Sequence, residues 1–339
     1  MANSASHSIS IRSILEGFER SLELAKQQIT DERPDRENPD FDLNNFWTNF
    51  IGATKLVSHE ATKLCMVFQG QGMNSTDECK SLIDSVEKKC LTLLAVFVTL
   101  PKSKGKTLHK EILLYVIGIL QGMKSLCTAI RNQGNNQLQN VGDLWEQCGN
   151  VENLSKNNQD AVVAVCREQH DMVQDASQEL MDSLDSEAQD MDDDLSQLPP
   201  LNGNPILPDQ AWTPSDRNVL LPCSGLVKAA KACLKKTMQA IAHRGDASNE
   251  AAVNELDRIA EIVKESSSIV DDFVLSLYPP MDHSVARGQA SLVRNHSKEL
   301  LSTVRNCHFC SAVDETWVDF LEKAVDHNWV RINDMVLAD

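Results

Sequence analysis

Apolar residues recur along most of this chain at steps of three and four, the period of an amphipathic helix. Ile11, Ile14, Leu15, Phe18, Leu22, Ala25 and Ile29 mark one helical face, which Pro34 and Pro39 interrupt within Asp31–Asp40. The same pattern predicts a second helix from about Asp42 to Phe68. It buries Phe46, Phe50, Ala53, Val57, Ala61, Leu64 and Phe68, and Gly70–Gly72 ends it. Ser75 or Thr76 caps a third helix, with Glu78 placed for a capping-box contact back to Ser75. That helix buries Cys79, Leu82, Val86, Cys90, Leu93 and Phe97 and stops near Pro101. A fourth is centred on Leu108, Ile112, Tyr115, Ile119, Met123, Leu126 and Ile130 and ends near Gly134.

The fifth pattern is very long, from about Gln137 to Leu184. Its seam reads Val141, Leu144, Cys148, Val151, Ser155, Asn158, Val162, Val165, Gln169, Met172 and Ala176, the spacing of a bundle or coiled-coil seam. Ser155 and Asn158 make its centre polar. Such a centre either fixes register or breaks the helix.

From Asp182 to Pro214, carboxylates at Asp190–Asp194 give way to Pro199, Pro200, Pro205 and Pro208. Self-repulsion and proline both oppose helix, so this stretch reads as a disordered linker. Thr213-Pro214-Ser215-Asp216 then reads as a helix start. Four more helices follow. Val219, Leu226, Ala230, Cys233 and Ile241 carry the first; Val253, Leu256, Ile259, Val263, Val270 and Val274 carry the second. Tyr278-Pro279-Pro280-Met281 is a hard stop. Val285, Leu292, Leu300 and Val304, then Trp317, Phe320, Ala324, His327 and Ile332, carry the last two. No alternating strand pattern appears. Aromatics are scarce at 5 %, which also leans away from sheet. The expected fold is all-α, with two antiparallel bundles: residues 1–181 with five long helices, an acidic linker at 182–214, and 215–339 with four. A chain of 339 residues is long enough for both.

Charge changes the picture at one place. Between Glu168 and Asp216 there are thirteen Asp and Glu and no Lys or Arg, in a chain whose formal net charge is −17. Such a run repels nucleic acid, which is bound by Lys and Arg displacing counterions. It attracts basic protein surfaces and speeds their encounter. Asp190, Asp192, Asp193 and Asp194 are its densest part and the candidate contacts, unless the run is only a solubilising linker. The candidate helical face is the seam carrying Val151, Val162, Val165 and Met172. Ser183 and Ser186 sit among carboxylates and suit an acid-directed kinase. Lys102, Lys104, Lys106 and Lys110 read as a solvated loop and helix start, or as an import signal.

Chemistry is sparse. Cys307-His308-Phe309-Cys310 is the only CxxC, with no strand for a redox motif and no second cysteine pair for zinc. His283, His296 and His327 are conceivable third ligands; a plain helix-end cysteine pair is the simpler reading. Gln69-Gly70-Gln71-Gly72 lacks the strand and third glycine of a dinucleotide loop. His109, His170 and His243 have no nucleophile pattern beside them. We expect no catalytic residue, cofactor or metal. The ten cysteines sit mostly at apolar helical positions, as free thiols in nucleus or cytosol. Met1–Ile14 lacks the apolar stretch of a signal peptide. The apolar runs Leu93–Leu100 and Ile112–Leu120 fall short of the roughly 20 residues that span a bilayer, so no membrane insertion is expected.

The second body carries more specific text: Trp212-Thr213, Leu221-Pro222-Cys223-Ser224-Gly225-Leu226-Val227-Lys228-Ala229, Lys231-Ala232-Cys233-Leu234-Lys235-Lys236, Val270-Asp271-Asp272 and Leu275-Ser276-Leu277-Tyr278-Pro279-Pro280-Met281. With the acidic run before it, this resembles the cyclin-D-binding protein family, also described as maternal Id-like helix–loop–helix molecules. The resemblance implies a non-enzymatic negative regulator of the cell cycle in nucleus and cytoplasm. Its partners would be D-type cyclin, helix–loop–helix transcription factors held off DNA, and signalling adaptors. Retinoblastoma protein phosphorylation and growth-promoting transcription would fall. The residues agree in that no basic helix precedes a candidate dimerisation helix, and in that the net charge opposes DNA. They depart in showing no clean leucine zipper, since the best seam contains Ser155, Asn158 and Gln169. Long helices of this kind resemble the bundles of vinculin-, talin- and catenin-like proteins, which implies a helical adaptor as the alternative function.

Overall fold

A computed structural model describes residues 10–31, 40–69, 75–134, 136–193 and 211–336, with the backbone alone for 185–193 and 336. No strand occurs among the described residues. The expected breaks at Pro34, Pro39 and Gly70–Gly72 lie outside them, apart from the flanking residues. The chain forms two compact units, residues 1–157 and 158–339.

The first unit holds α1 (Ile11–Thr30), α2 (Leu43–Gln69), α3 (Thr76–Phe97), α4 (Lys106–Arg131) and α5 (Gln137–Gly149). Helix α1 packs on α3 and α4, α2 on α3 and α5, and α4 on α5, closing a five-membered ring. Ser75 caps α3 by accepting from the Glu78 amide, as the sequence indicates. The α3 core uses Ile83 rather than the expected Leu82. Phe50, Leu64, Leu93, Leu108, Ile112 and Met123 are fully enclosed. Helix α4 is long and apolar enough to cross a bilayer by length and composition alone, a test that the core helix of a bundle also passes. Here much of its apolar surface is enclosed by this bundle, and the Tyr115 hydroxyl donates to the Cys148 carbonyl at 3.0 Å.

The expected single helix from 137 to 184 is broken. Helix α5 ends at Gly149, a 3-10 turn covers Asn150–Asn153, and Leu154 is extended. Three contacts pin this break to the first unit. Trp47 Nε1 donates to the Lys156 carbonyl at 2.9 Å, and the Lys156 ammonium lies 4.5 Å from the Trp47 ring centroid. The Ser155 amide donates to Glu111 at 3.0 Å. The polar seam centre therefore marks a break.

The second unit holds α6 (Asn158–Asp193), α7 (Pro214–Arg244), α8 (Glu250–Val263), α9 (Ser266–Leu275), α10 (His283–Arg305) and α11 (Ala312–Val336). Helix α6, most of which was assigned from sequence to the first bundle, buries Val162, Cys166, Val173 and Leu180 in this core. It is held there by polar seam residues. Asn158 Nδ2 donates to Asp257 at 3.0 Å, and Gln169 Oε1 accepts from the Ser267 amide at 2.9 Å. Ser267 lies in the first turn of α9, where amides lack intrahelical partners, so α6 caps α9. Helices α8 and α9, expected as one, part at Lys264–Glu265. Helix α7 packs on α6, α10 and α11; α6 and α10 each pack on α8 and α9. The second bundle thus gains a long helix that the expected 182–214 boundary excluded.

Candidate partner-docking site

Helix α6 runs through Asp182 to Asp193. This corrects the expectation of linker beyond Leu184, where the helical pattern of the sequence ends; the remaining stretch, 194–210, lies outside the described residues. A helix already anchored by Val173, Ala176 and Leu180, with Leu184 against the same core, extends at little further cost. Where α6 turns acidic, a clasp secures it. Ser183 Oγ and the Tyr278 hydroxyl are 3.4 Å apart. Trp212, only 6 % exposed, donates its indole N–H to the Leu277 carbonyl at 2.6 Å and lies against the Tyr278 ring, with centroids 6.0 Å apart. Asp216 joins a capping box with Thr213 and meets His283 Nε2 at 2.6 Å. Burial alone would raise the Asp216 carboxyl, but hydrogen bonds from His283 and Thr213 outweigh it and hold the group below the usual range. Trp212-Thr213 and the Leu275–Met281 segment, singled out in the sequence, therefore build the clasp.

The clasp end is electronegative beyond the acidic run. Burial raises the carboxyl of Asp271 on α9, and the charges of Asp272 and Glu179 push it the same way. Glu179 belongs to α6, so the fold gathers acidic groups from two helices beside the run. A basic surface meeting this end would relieve that repulsion.

The predicted contact residues do not form one face. Asp190, Asp192 and Asp193 lie in the last turns of α6, and Asp194 lies outside the described residues. Val151 is buried in the first unit and Val162 in the second, which leaves neither a surface for a partner. Val165 packs partly buried against the second core; Met172 is 43 % exposed. The seam was legible as a helix pattern, but most of it points inward. No signal in the sequence paired Asp216 with His283 or Ser183 with Tyr278, which lie far apart along the chain.

All ten cysteines are free. Burial pushes Cys307 up to about 12 and raises Cys310, the reverse of an activated thiolate. No group of three or more metal-ligating side chains is present among the described residues. His109 sits against the Phe97 ring and His243 bonds its own helix at Gln239. His296 Nε2 and Ser266 Oγ are 2.8 Å apart, and burial holds this imidazole below its ordinary value of 6.5, against the pull of Glu299 and Glu265. The folded state thus takes up this proton less readily than the unfolded chain. Stability present above about pH 6.5 should fall as pH drops through the lowered folded value. Thermal melts between about pH 7 and 5 should show that slope in the second unit, and His296→Gln should flatten it. An unchanged slope in that variant would place the titrating group elsewhere.

Two family profiles match the chain. "Grap2 and cyclin-D-interacting, N-terminal" covers residues 49–186, and "Grap2 and cyclin-D-interacting, C-terminal" covers residues 185–302. A cyclin-D1-binding protein 1 homolog of Danio rerio is 31 % identical over 94 % of both chains. Its Xenopus laevis counterpart is 32 % identical, covering 93 % of this chain and 96 % of the relative. Cyclin-D1-binding protein 1 of Homo sapiens is 28 % identical over 88 % of this chain and 87 % of its own. With both halves matched in order and the clasp segments in place, this chain belongs to the Grap2 and cyclin-D-interacting family.

Proposed function

We propose that this protein is a non-enzymatic negative regulator of cell-cycle progression that binds a D-type cyclin. The observation that carries the reading is family membership along nearly the whole chain, with relatives named for cyclin D1 binding. The electronegative end of the second bundle supports it physically, because a clustered negative field draws in a basic protein surface. The same reading extends to helix–loop–helix transcription factors. A net charge of −17 favours holding such a factor off DNA over joining it there. Lower retinoblastoma protein phosphorylation and lower growth-promoting transcription would follow, with action in nucleus and cytoplasm. A second reading, contact with a signalling adaptor, is favoured by the family description, which names Grap2 beside cyclin D.

Binding of purified D-type cyclin to the immobilised full-length chain tests the first reading. Saturable binding supports it, and no binding at micromolar concentration removes it. For the helix–loop–helix part, adding this protein to a factor–DNA complex should abolish the shifted band. A supershifted band containing this chain would contradict sequestration.

A further inference from the structure

One exposed surface lies outside the acidic end, where α2 and α5 run antiparallel. Cys65 Sγ lies 3.8 Å from the Gln137 carbonyl at one end, and Trp145 Nε1 donates to Thr62 Oγ1 at 2.9 Å further along. The indole is thus fixed across the seam with its polar group satisfied, yet Trp145 remains 46 % exposed. Leu138, two turns before it, is 63 % exposed, and Met66 on the facing helix is 70 % exposed. An oriented tryptophan on the same seam as two bare apolar side chains is the composition of an interface centre.

The glycines say what shape fits there. Leu138, Gly142, Trp145 and Gly149 follow one another at steps of four, three and four, so they share one face of α5. A methyl group added at Gly142 or Gly149 would meet nothing within 4 Å. Glycine inside a helix costs about 1 kcal/mol against alanine, and no packing inside this fold repays it at Gly142; Gly149, the last residue of α5, is equally open. The result is large and small positions alternating at the period of helix packing, with a shallow floor on either side of the ring. Gly17 and Gly288 are equally open but have no exposed aromatic beside them. The shoulder beyond the glycines is acidic: Asp143 and Glu146 are exposed without a cation partner, and α5 contains no Lys or Arg.

We infer that the α2–α5 face centred on Trp145 docks an amphipathic helix of a partner protein, with Lys or Arg along the flank that meets Asp143 and Glu146. The partner helix lays its apolar residues over Trp145, Leu138 and Met66 and approaches closely above Gly142 and Gly149. This deepens the cyclin reading by giving it a surface, and rests on that reading for the partner's name.

The test uses the full-length chain carrying Gly142→Ala and Gly149→Ala. Neither added methyl meets a neighbour, so the fold should hold, and Gly142→Ala inside α5 should gain stability. Docking of D-type cyclin should weaken about tenfold, because each methyl fills space the partner needs. Gly17→Ala with Gly288→Ala should leave affinity unchanged. If cyclin binds the wild type and the Gly142/Gly149 variant equally, this surface is wrong and the cyclin reading stands. If cyclin does not bind the wild type, the cyclin reading falls. The surface is then tested with a synthetic helical peptide carrying Leu at seam positions and Lys on one flank, against a scrambled peptide of the same composition. Preference for the ordered peptide that is lost in the Gly142/Gly149 variant supports the surface, and equal binding of the two peptides overturns it. A wild-type dimer in sedimentation that Trp145→Ala dissolves would assign the face to a second copy of this chain and overturn the partner proposal.

Discussion

Trp212→Ala should destabilise the second unit by about 3–5 kcal/mol, the range for emptying a buried aromatic site. The side chain is almost wholly enclosed, and its loss leaves the Leu277 carbonyl without the indole donor and Tyr278 without its ring neighbour. Trp212→Phe keeps most of the packing and should cost less, with the lost hydrogen bond contributing about 1 kcal/mol. Native-state hydrogen exchange separates the two units. Amides of α6 to α11 should lose protection by this amount, while those of α1 to α5 keep theirs. Equal loss in both units, or none, would show that Trp212 does not hold the clasp.

Replacing Asp190, Asp192, Asp193 and Asp194 together by Asn should slow association with a D-type cyclin about tenfold at low ionic strength. Charges near the surface act over about 8 Å at physiological salt, so they steer the encounter more than they hold the finished complex. The dissociation rate should change little. The difference between variant and wild type should shrink as salt rises, because screening removes the same attraction from the wild type. Glu179, Asp271 and Asp272 remain in the variant, so part of the attraction persists. An unchanged association rate at low salt would leave the acidic run as a connector only, and recognition would rest on helix faces.

How far the sequence could be read depended on how local each cause was. Helices α1 to α4 were legible because their apolar residues repeat along single elements, and the cap at Ser75 lies three residues from its partner. The break after α5 was half legible. Ser155 and Asn158 flagged it, but what holds it, Trp47, Lys156 and Glu111, is brought together only by folding. The split between α8 and α9 was invisible, since apolar spacing continues from Val263 through Val270 across it. Helix beyond Leu184, up to Asp193, was missed because composition records charge repulsion but not the anchoring of the preceding turns. In the candidate site, the acidic character and the family segments were visible, while the clasp pairs and the Trp145 face depend on contacts between helices.

The place where the units part bears on how pieces of this protein behave. The two family profiles meet at residues 185 and 186, inside α6, whereas the compact units divide at Asn157 and Asn158. A fragment cut at the profile boundary would carry most of α6 away from α7, α8 and α9. Val162, Cys166, Val173 and Leu180 would then face water as a long greasy stripe, and the remaining bundle would lie open along one side. Pull-downs with such halves would report stickiness that the intact molecule conceals. Cleavage between Asn157 and Asn158 respects both bundles and is the cut at which borrowed or recombined halves would keep their own chemistry.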